Sequence, residues 1–139
     1  MIIVDTSAIF ALLTQHDKHH EQASEWYRQN AGNELLATSQ LIIAECWHLA
    51  KTRLNHASAD KACEAALQTF SILDINSSIL TAALAVRSKY HDSGISLIDA
   101  STLAICEALQ IGEVFTFDRR HFGIYRPSFR KSLELLPEI

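Results

Sequence analysis

Met1-Ile2-Ile3-Val4-Asp5-Thr6-Ser7-Ala8 opens the chain with an apolar run that stops at an acid. Ile2 to Val4 is short, largely β-branched and apolar at every position, as expected of a strand buried on both faces of a parallel sheet. A half-exposed strand would alternate instead. Thr6-Ser7 then offers hydroxyl caps to a helix whose apolar face includes Ile9, Phe10 and Leu13.

The same unit recurs outward from there. Lys18–Asn30 reads as a helix with Ala23, Trp26 and Tyr27 inward, Leu35–Thr38 as a second strand, Ser39 as a cap and Gln40–Arg53 as a long helix. Ala59–Phe70 is helical, Ile72–Ile75 is a third strand, and Asn76 and Ser77 cap a helix carrying Ile79, Ala82, Ala83, Val86 and Tyr90. After a turn at Ser93-Gly94, Leu97–Leu109 is helical and Gly112 marks its end. Val114–Phe117 gives a fourth strand and Leu133–Leu136 a fifth before Pro137. Short apolar strands alternating with helices predict an α/β fold: a mostly parallel sheet of about five strands covered on both sides, in three α/β/α layers. Ligands of such sheets bind outside the carboxyl ends of the strands. Asp5 and Asp118 end their strands at that edge.

At 139 residues the chain is expected to form one domain, residues 1–139, with a substantial core. Apolar residues at 48% and charged residues at 20% exclude a disordered chain. A net charge of −4 argues against a polyanion binder on the total alone. Between Arg119 and Lys131, however, Arg119, Arg120, Arg126, Arg130 and Lys131 stand without an acid among them. Such a stripe either holds phosphates or solvates an edge. Phe122, Tyr125 and Phe129 interleave with it, in a pattern that suits core packing better than base stacking. Cys46, Cys63 and Cys106 are odd in number and form no Cys-x-x-Cys pair, so they read as reduced, partly buried small hydrophobes. An acid at position 5 comes too early for a signal peptide, and no apolar run approaches about 20 residues. A soluble, cytoplasmic protein is expected.

Four separated acids carry the chemistry: Asp5, Glu45, Asp99 and Asp118. Taken singly, most have an ordinary explanation. Asp5 suits a helix cap or first-turn acid, Asp118-Arg119-Arg120 suits a turn, and Ser96-Leu97-Ile98-Asp99 fits a capping box. Glu45 is harder to dismiss, because it shares a helix face with Leu41, Ile42 and Leu49. A carboxylate there needs a salt bridge, a raised pKa or a metal. Four acids at element edges suggest a shared cation, and oxygen ligands without a Cys or His set favour Mg²⁺ or Mn²⁺ over Zn²⁺. His16, His19 and His20 stand at helical spacing but lack a fourth zinc ligand.

Ile2-Ile3-Val4-Asp5-Thr6-Ser7-Ala8, Ile43-Ala44-Glu45, Ile95-Ser96-Leu97-Ile98-Asp99-Ala100 and Phe115-Thr116-Phe117-Asp118-Arg119-Arg120-His121-Phe122, in this order, resemble the PIN-domain ribonucleases, specifically the VapC-type toxins of bacterial toxin–antitoxin pairs. Leu133-Glu134-Leu135-Leu136-Pro137 resembles the family's last strand. The resemblance implies a PIN-like fold in which Asp5, Glu45, Asp99 and Asp118 form a catalytic metal site. Ser7 and Thr116 would supply hydroxyl hydrogen bonds that orient carboxylates or bound water. It further implies Mg²⁺- or Mn²⁺-dependent endonucleolytic cleavage of RNA by activated water, leaving 5′-phosphate and 3′-hydroxyl ends. The implied partner is a small VapB-type antitoxin whose C-terminal segment covers the groove. Homodimers, and heterotetramers or larger assemblies with antitoxin, are implied as well. Asp92 is an additional acid, read as a loop residue of His91-Asp92-Ser93-Gly94.

Two other functions compete. A phosphomonoesterase with an aspartyl nucleophile would use Asp5 at the end of the first strand. That chemistry calls for a second acid two residues later, where this chain has Ser7. A non-toxin PIN-fold module that processes or binds RNA, or binds protein, would keep the fold. A module that only binds has no need to retain all four acids.

Overall fold

The computed structural model describes residues 1–138; Ile139, the last residue of the expected domain, lies outside the described residues. Five strands, β1 (Ile2–Val4), β2 (Leu36–Ser39), β3 (Ser71–Leu73), β4 (Glu113–Phe115) and β5 (Glu134–Leu136), form one sheet in the order β3-β2-β1-β4-β5. Every pairing is parallel. The central strand β1 is buried throughout, with Ile3 opposite Ala37 on one side and Val114 on the other. This burial on both faces is why Ile2-Ile3-Val4 shows no alternation.

Among the described residues, seven helices flank the sheet: α1 (Thr6–Leu13), α2 (His20–Asn30), α3 (Gln40–Arg53), α4 (His56–Thr69), α5 (Ser77–Lys89), α6 (Leu97–Leu109) and α7 (Arg119–Ile124). A 3-10 turn occupies His91–Ser93. Connections between parallel strands cross over with a right hand, which places α1 to α4 on one face and α5 and α6 on the other. The helix α3 packs along α4, α5 along α6, and α1 against both α2 and α3.

Local chemistry sets the helix starts. Ser39 Oγ accepts from Ile42 N at 3.3 Å, Asn76 Oδ1 from Ile79 N at 2.9 Å and Ser96 Oγ from Asp99 N at 3.0 Å, as their sequence positions predict. Asn55 caps α4 through Ser58 N at 2.8 Å, so that helix begins at His56, three residues before the expected Ala59. The first helix is capped by Asp5 rather than by Thr6-Ser7, because the helix starts at Thr6 itself. The chain leaves α6 at Gln110, which takes a left-handed φ of 54°, before Gly112 is reached.

The core joins the sheet to both helical layers. Phe115 is fully buried, and the Trp26 ring packs 4.3 Å from it. Phe122 and Tyr125 are buried too, so core packing is the role of these aromatics of the basic stretch. Cys46 and Cys106 are buried, Cys63 is half-buried, and all are free thiols. Among the described residues no helix is long and apolar enough to cross a membrane.

The topology also fixes where a ligand can bind. From β1 the chain crosses to β2 on one side, while β4 lies on the other, so the carboxyl ends of β1 and β4 flank a switch point.

Candidate active site

Asp5 follows β1 and Asp118 lies three residues beyond β4, so the switch point brings both acids to one crevice. Asp99 enters it from the first turn of α6, and Glu45 from α3. Asp5 is 3% exposed. Its Oδ2 accepts from Thr116 Oγ1 at 2.8 Å, Ser7 Oγ at 2.9 Å and, weakly, Ser7 N at 3.4 Å. Its Oδ1 is buried without a hydrogen-bond partner among the described residues, a state shared with Thr6 Oγ1. One oxygen is pinned and the other is free.

The two hydroxyls extend this clamp across the sheet edge. Ser7 Oγ accepts from Phe117 N, and Thr116 Oγ1 accepts from Asp118 N, each at 2.9 Å. The hydroxyls lie 3.2 Å apart. Side-chain oxygens thus replace ladder hydrogen bonds where β4 ends, and they fix the backbone that carries Asp118. This explains why the strand stops at Phe115 rather than at Phe117.

The Asp99 carboxylate makes no hydrogen bond among the described residues. Ser96 caps the Asp99 N–H, but Asp99 does not return the bond of a capping box. Burial, and then the neighbouring carboxylates of Asp5, Asp118 and Glu45, push the Asp99 pKa up to about 7. Burial likewise raises the Asp5 pKa, against the hydrogen bonds from Thr116 and Ser7. Glu45 is half-buried and forms no ion pair among the described residues. It lies near enough to raise the pKa of Asp99.

His121 is the site residue that the sequence did not disclose. Asp118 caps α7 by accepting His121 N at 3.0 Å through Oδ1, while its Oδ2 meets His121 Nδ1 at 2.9 Å. The other ring nitrogen faces the Ser93 carbonyl at 3.1 Å. An acceptor at each nitrogen favours the doubly protonated ring, and the Asp118 hydrogen bond leads the causes that raise the His121 pKa. Asp99 Oδ2 lies 3.9 Å from Nδ1. Asp99, Asp118 and His121 each present a ligand atom within 4.8 Å of the others. Asp5 and Glu45 stand outside that trio. The i, i+3 spacing of Asp118 and His121 is a helical signal, but it becomes visible only once α7 is recognised.

Other expected features take different places. Asp92 is exposed and paired with His91 at 3.0 Å, so it faces solvent rather than the crevice. The basic stretch is largely used within the fold. Arg119 donates to the carbonyls of Leu135 and Pro137, Arg126 to those of Gly123 and Tyr125, and Arg120 to that of Ser93. His16, His19 and His20 do not share a helix, because α2 begins only at His20.

A buried, unpartnered carboxylate oxygen beside a proton-retaining second carboxylate is expensive unless a cation enters. Carboxylate oxygens brought together from the ends of β1 and β4 and from α3 and α6 suit a hard divalent cation. Fold and crevice together define a parallel α/β protein with an acid-lined site at the sheet's switch point. The family model of the PIN domain matches residues 2–127, and the chain belongs to that family.

Among known proteins, it is 28% identical over 128 residues to Ribonuclease VapC26 of Mycobacterium tuberculosis (strain ATCC 25618 / H37Rv), covering 91% of this chain and 93% of the relative. The crystal structure of Mycobacterium tuberculosis VapC20, a Sarcin-Ricin loop cleaving toxin, superposes with a TM-score of 0.79 at 22% identity, covering 87% of this chain and 92% of that one. A toxin–antitoxin complex from Klebsiella pneumoniae matches with a TM-score of 0.62 at 25% identity, covering 89% and 92%.

Proposed function

We propose that this chain is a VapC-type toxin, a Mg²⁺- or Mn²⁺-dependent endoribonuclease. It hydrolyses RNA phosphodiesters with water and leaves 5′-phosphate and 3′-hydroxyl ends. The observation that carries this is the divided Asp5 carboxylate, with Oδ2 held by two hydroxyls and Oδ1 buried and unpartnered. Asp5, Glu45, Asp99 and Asp118 would hold the cation. When bound, the ion lowers the pKa of water and offsets charge on the phosphodiester oxygens.

The remaining work belongs to the chain itself. Ser7 and Thr116 keep Asp5 from rotating, and His121 fixes Asp118 by its N–H and its ring. Asp99, whose pKa burial and neighbouring carboxylates push up to about 7, would release its proton on ligating a cation. The acids also repel substrate phosphate until they are neutralised, so RNA binds productively only to the loaded site. A small VapB-type antitoxin restrains the enzyme, in keeping with the toxin–antitoxin assembly among its structural neighbours. The chain acts in the cytoplasm as one PIN domain and as a homodimer, alone or in larger complexes with antitoxin.

Incubation of the purified protein with RNA, with and without Mn²⁺, tests the assignment. Cleavage is expected only with the metal, and the new 5′ ends accept ligation without prior phosphorylation. Folded Asp5→Asn and Asp99→Asn proteins lose at least about a hundredfold in rate, within the range set by loss of a principal electrostatic group. If they cut like wild type, the assignment is wrong.

A further inference from the structure

An aromatic column runs from the core to the segment that carries Asp118. Trp26 packs on Phe115 at 4.3 Å, Phe115 meets Phe117 edge-on at 6.1 Å, and His19 stacks on Phe117 at 4.3 Å with only 6° between the ring planes. The inner rings are buried, whereas Phe117 and His19 are half-buried. Phe117 lies between Thr116 and Asp118, and its N–H donates to Ser7 Oγ, the hydroxyl that also holds Asp5. The stack is therefore built onto the same backbone as the acids.

His19 is fixed by its main chain, not by its ring. Its N–H donates to Asp17 Oδ2 at 2.9 Å, and its carbonyl accepts from Ala23 N at 2.9 Å. Neither ring nitrogen makes a hydrogen bond among the described residues. His20 differs, since its Nδ1 lies 2.7 Å from the Ala11 carbonyl and its Nε2 3.5 Å from Ser24 Oγ. Of these neighbours, only His19 combines a supported flat face with free polar edges.

We propose that His19, backed by Phe117, is a nucleobase platform for single-stranded RNA next to the scissile phosphate. This rests on the ribonuclease function proposed above and adds the part of the substrate that the acids leave unread. Every base offers a flat face, and proteins that hold single strands do so by stacking bases on aromatic rings. Because Phe117 immediately precedes Asp118 in the chain, a base splayed onto His19 would keep its adjoining backbone close to the segment that carries the acid. The unbonded ring nitrogens are then available to the edge of that base or its neighbour, which gives the platform a means of preferring some bases over others. The column back to Trp26 keeps the platform rigid, so little ordering cost falls on binding.

The test uses full-length protein and short single-stranded RNAs carrying 2-aminopurine at successive positions around the cleaved bond. On rapid mixing with wild type in Mn²⁺, fluorescence is quenched at one position beside that bond before turnover. The quench is lost in His19→Ala and kept in His19→Phe. KM rises about tenfold in His19→Ala, the size of one lost base stack, and His19→Phe restores most of it. Calorimetric Mn²⁺ affinity stays at the wild-type value in both variants. A wild-type protein that cuts RNA without quenching any position overturns the platform and leaves the nuclease standing. A persistent quench with unchanged KM in His19→Ala, or a loss confined to kcat, overturns it equally. A wild-type protein that cuts no RNA overturns both.

Discussion

Asp99 couples this site to pH. The folded chain keeps its proton up to about pH 7, whereas an ordinary aspartate releases it near 3.8. Between those values the folded state binds more protons than the unfolded state, so the free energy of unfolding falls as pH rises. His121 acts in the same direction at higher pH. Its pKa is raised above 6.5, so its contribution is complete below that value and is lost as pH climbs through the raised one. Metal-free protein is therefore predicted to be less stable at pH 8 than at pH 5, by up to a few kcal/mol. Asp99→Asn flattens most of that slope. Urea melts in chelator at the two pH values measure it, and a wild type equally stable at both contradicts the electrostatic description of the crevice.

At the scale of elements, the strand ends are tied by hydroxyls rather than by further sheet pairing. Thr116 donates to Asp5 beyond β1 and accepts from Asp118 N beyond β4. Replacing it by valine keeps the shape and removes both bonds. Thr116→Val is predicted to cost about 1–3 kcal/mol in urea unfolding and to lower the cleavage rate about tenfold or more, as loss of a ligand-orienting group does. Thr116→Ser retains both. Wild-type stability and rate in the valine protein would show that the clamp has no role.

The elements also show what sequence patterns reveal. Gln40–Arg53 and Leu97–Leu109 are legible to the residue, because Ser39 and Ser96 cap long apolar helices. The six-residue helix α7 is not, since Arg119-Arg120-His121 carries no apolar period and begins on an acid that also reads as a turn. His121 was hidden with it. Arg119 likewise finds its partners in carbonyls of Leu135 and Pro137, a non-local contact that no spacing announces.

For the whole molecule, strand order decides more than any single motif. Placing β1 between β2 and β4 gathers acids that stand far apart in sequence into one crevice. The alternation of strands and helices made the sheet and its ligand-binding edge legible, and Asp5 and Asp118 with it. The stack of His19 on Phe117 was not legible, because it joins the start of α2 to the end of β4. A net charge of −4 is compatible with the proposed RNA cleavage because bound cations would offset the crevice acids. The most direct measurement is calorimetric titration of Mn²⁺ into wild-type, Asp5→Asn and Asp99→Asn proteins of verified fold. Saturable binding by wild type, weakened about tenfold or more in each variant, is predicted. Equal binding by all three proteins, or none by wild type, contradicts a shared cation site.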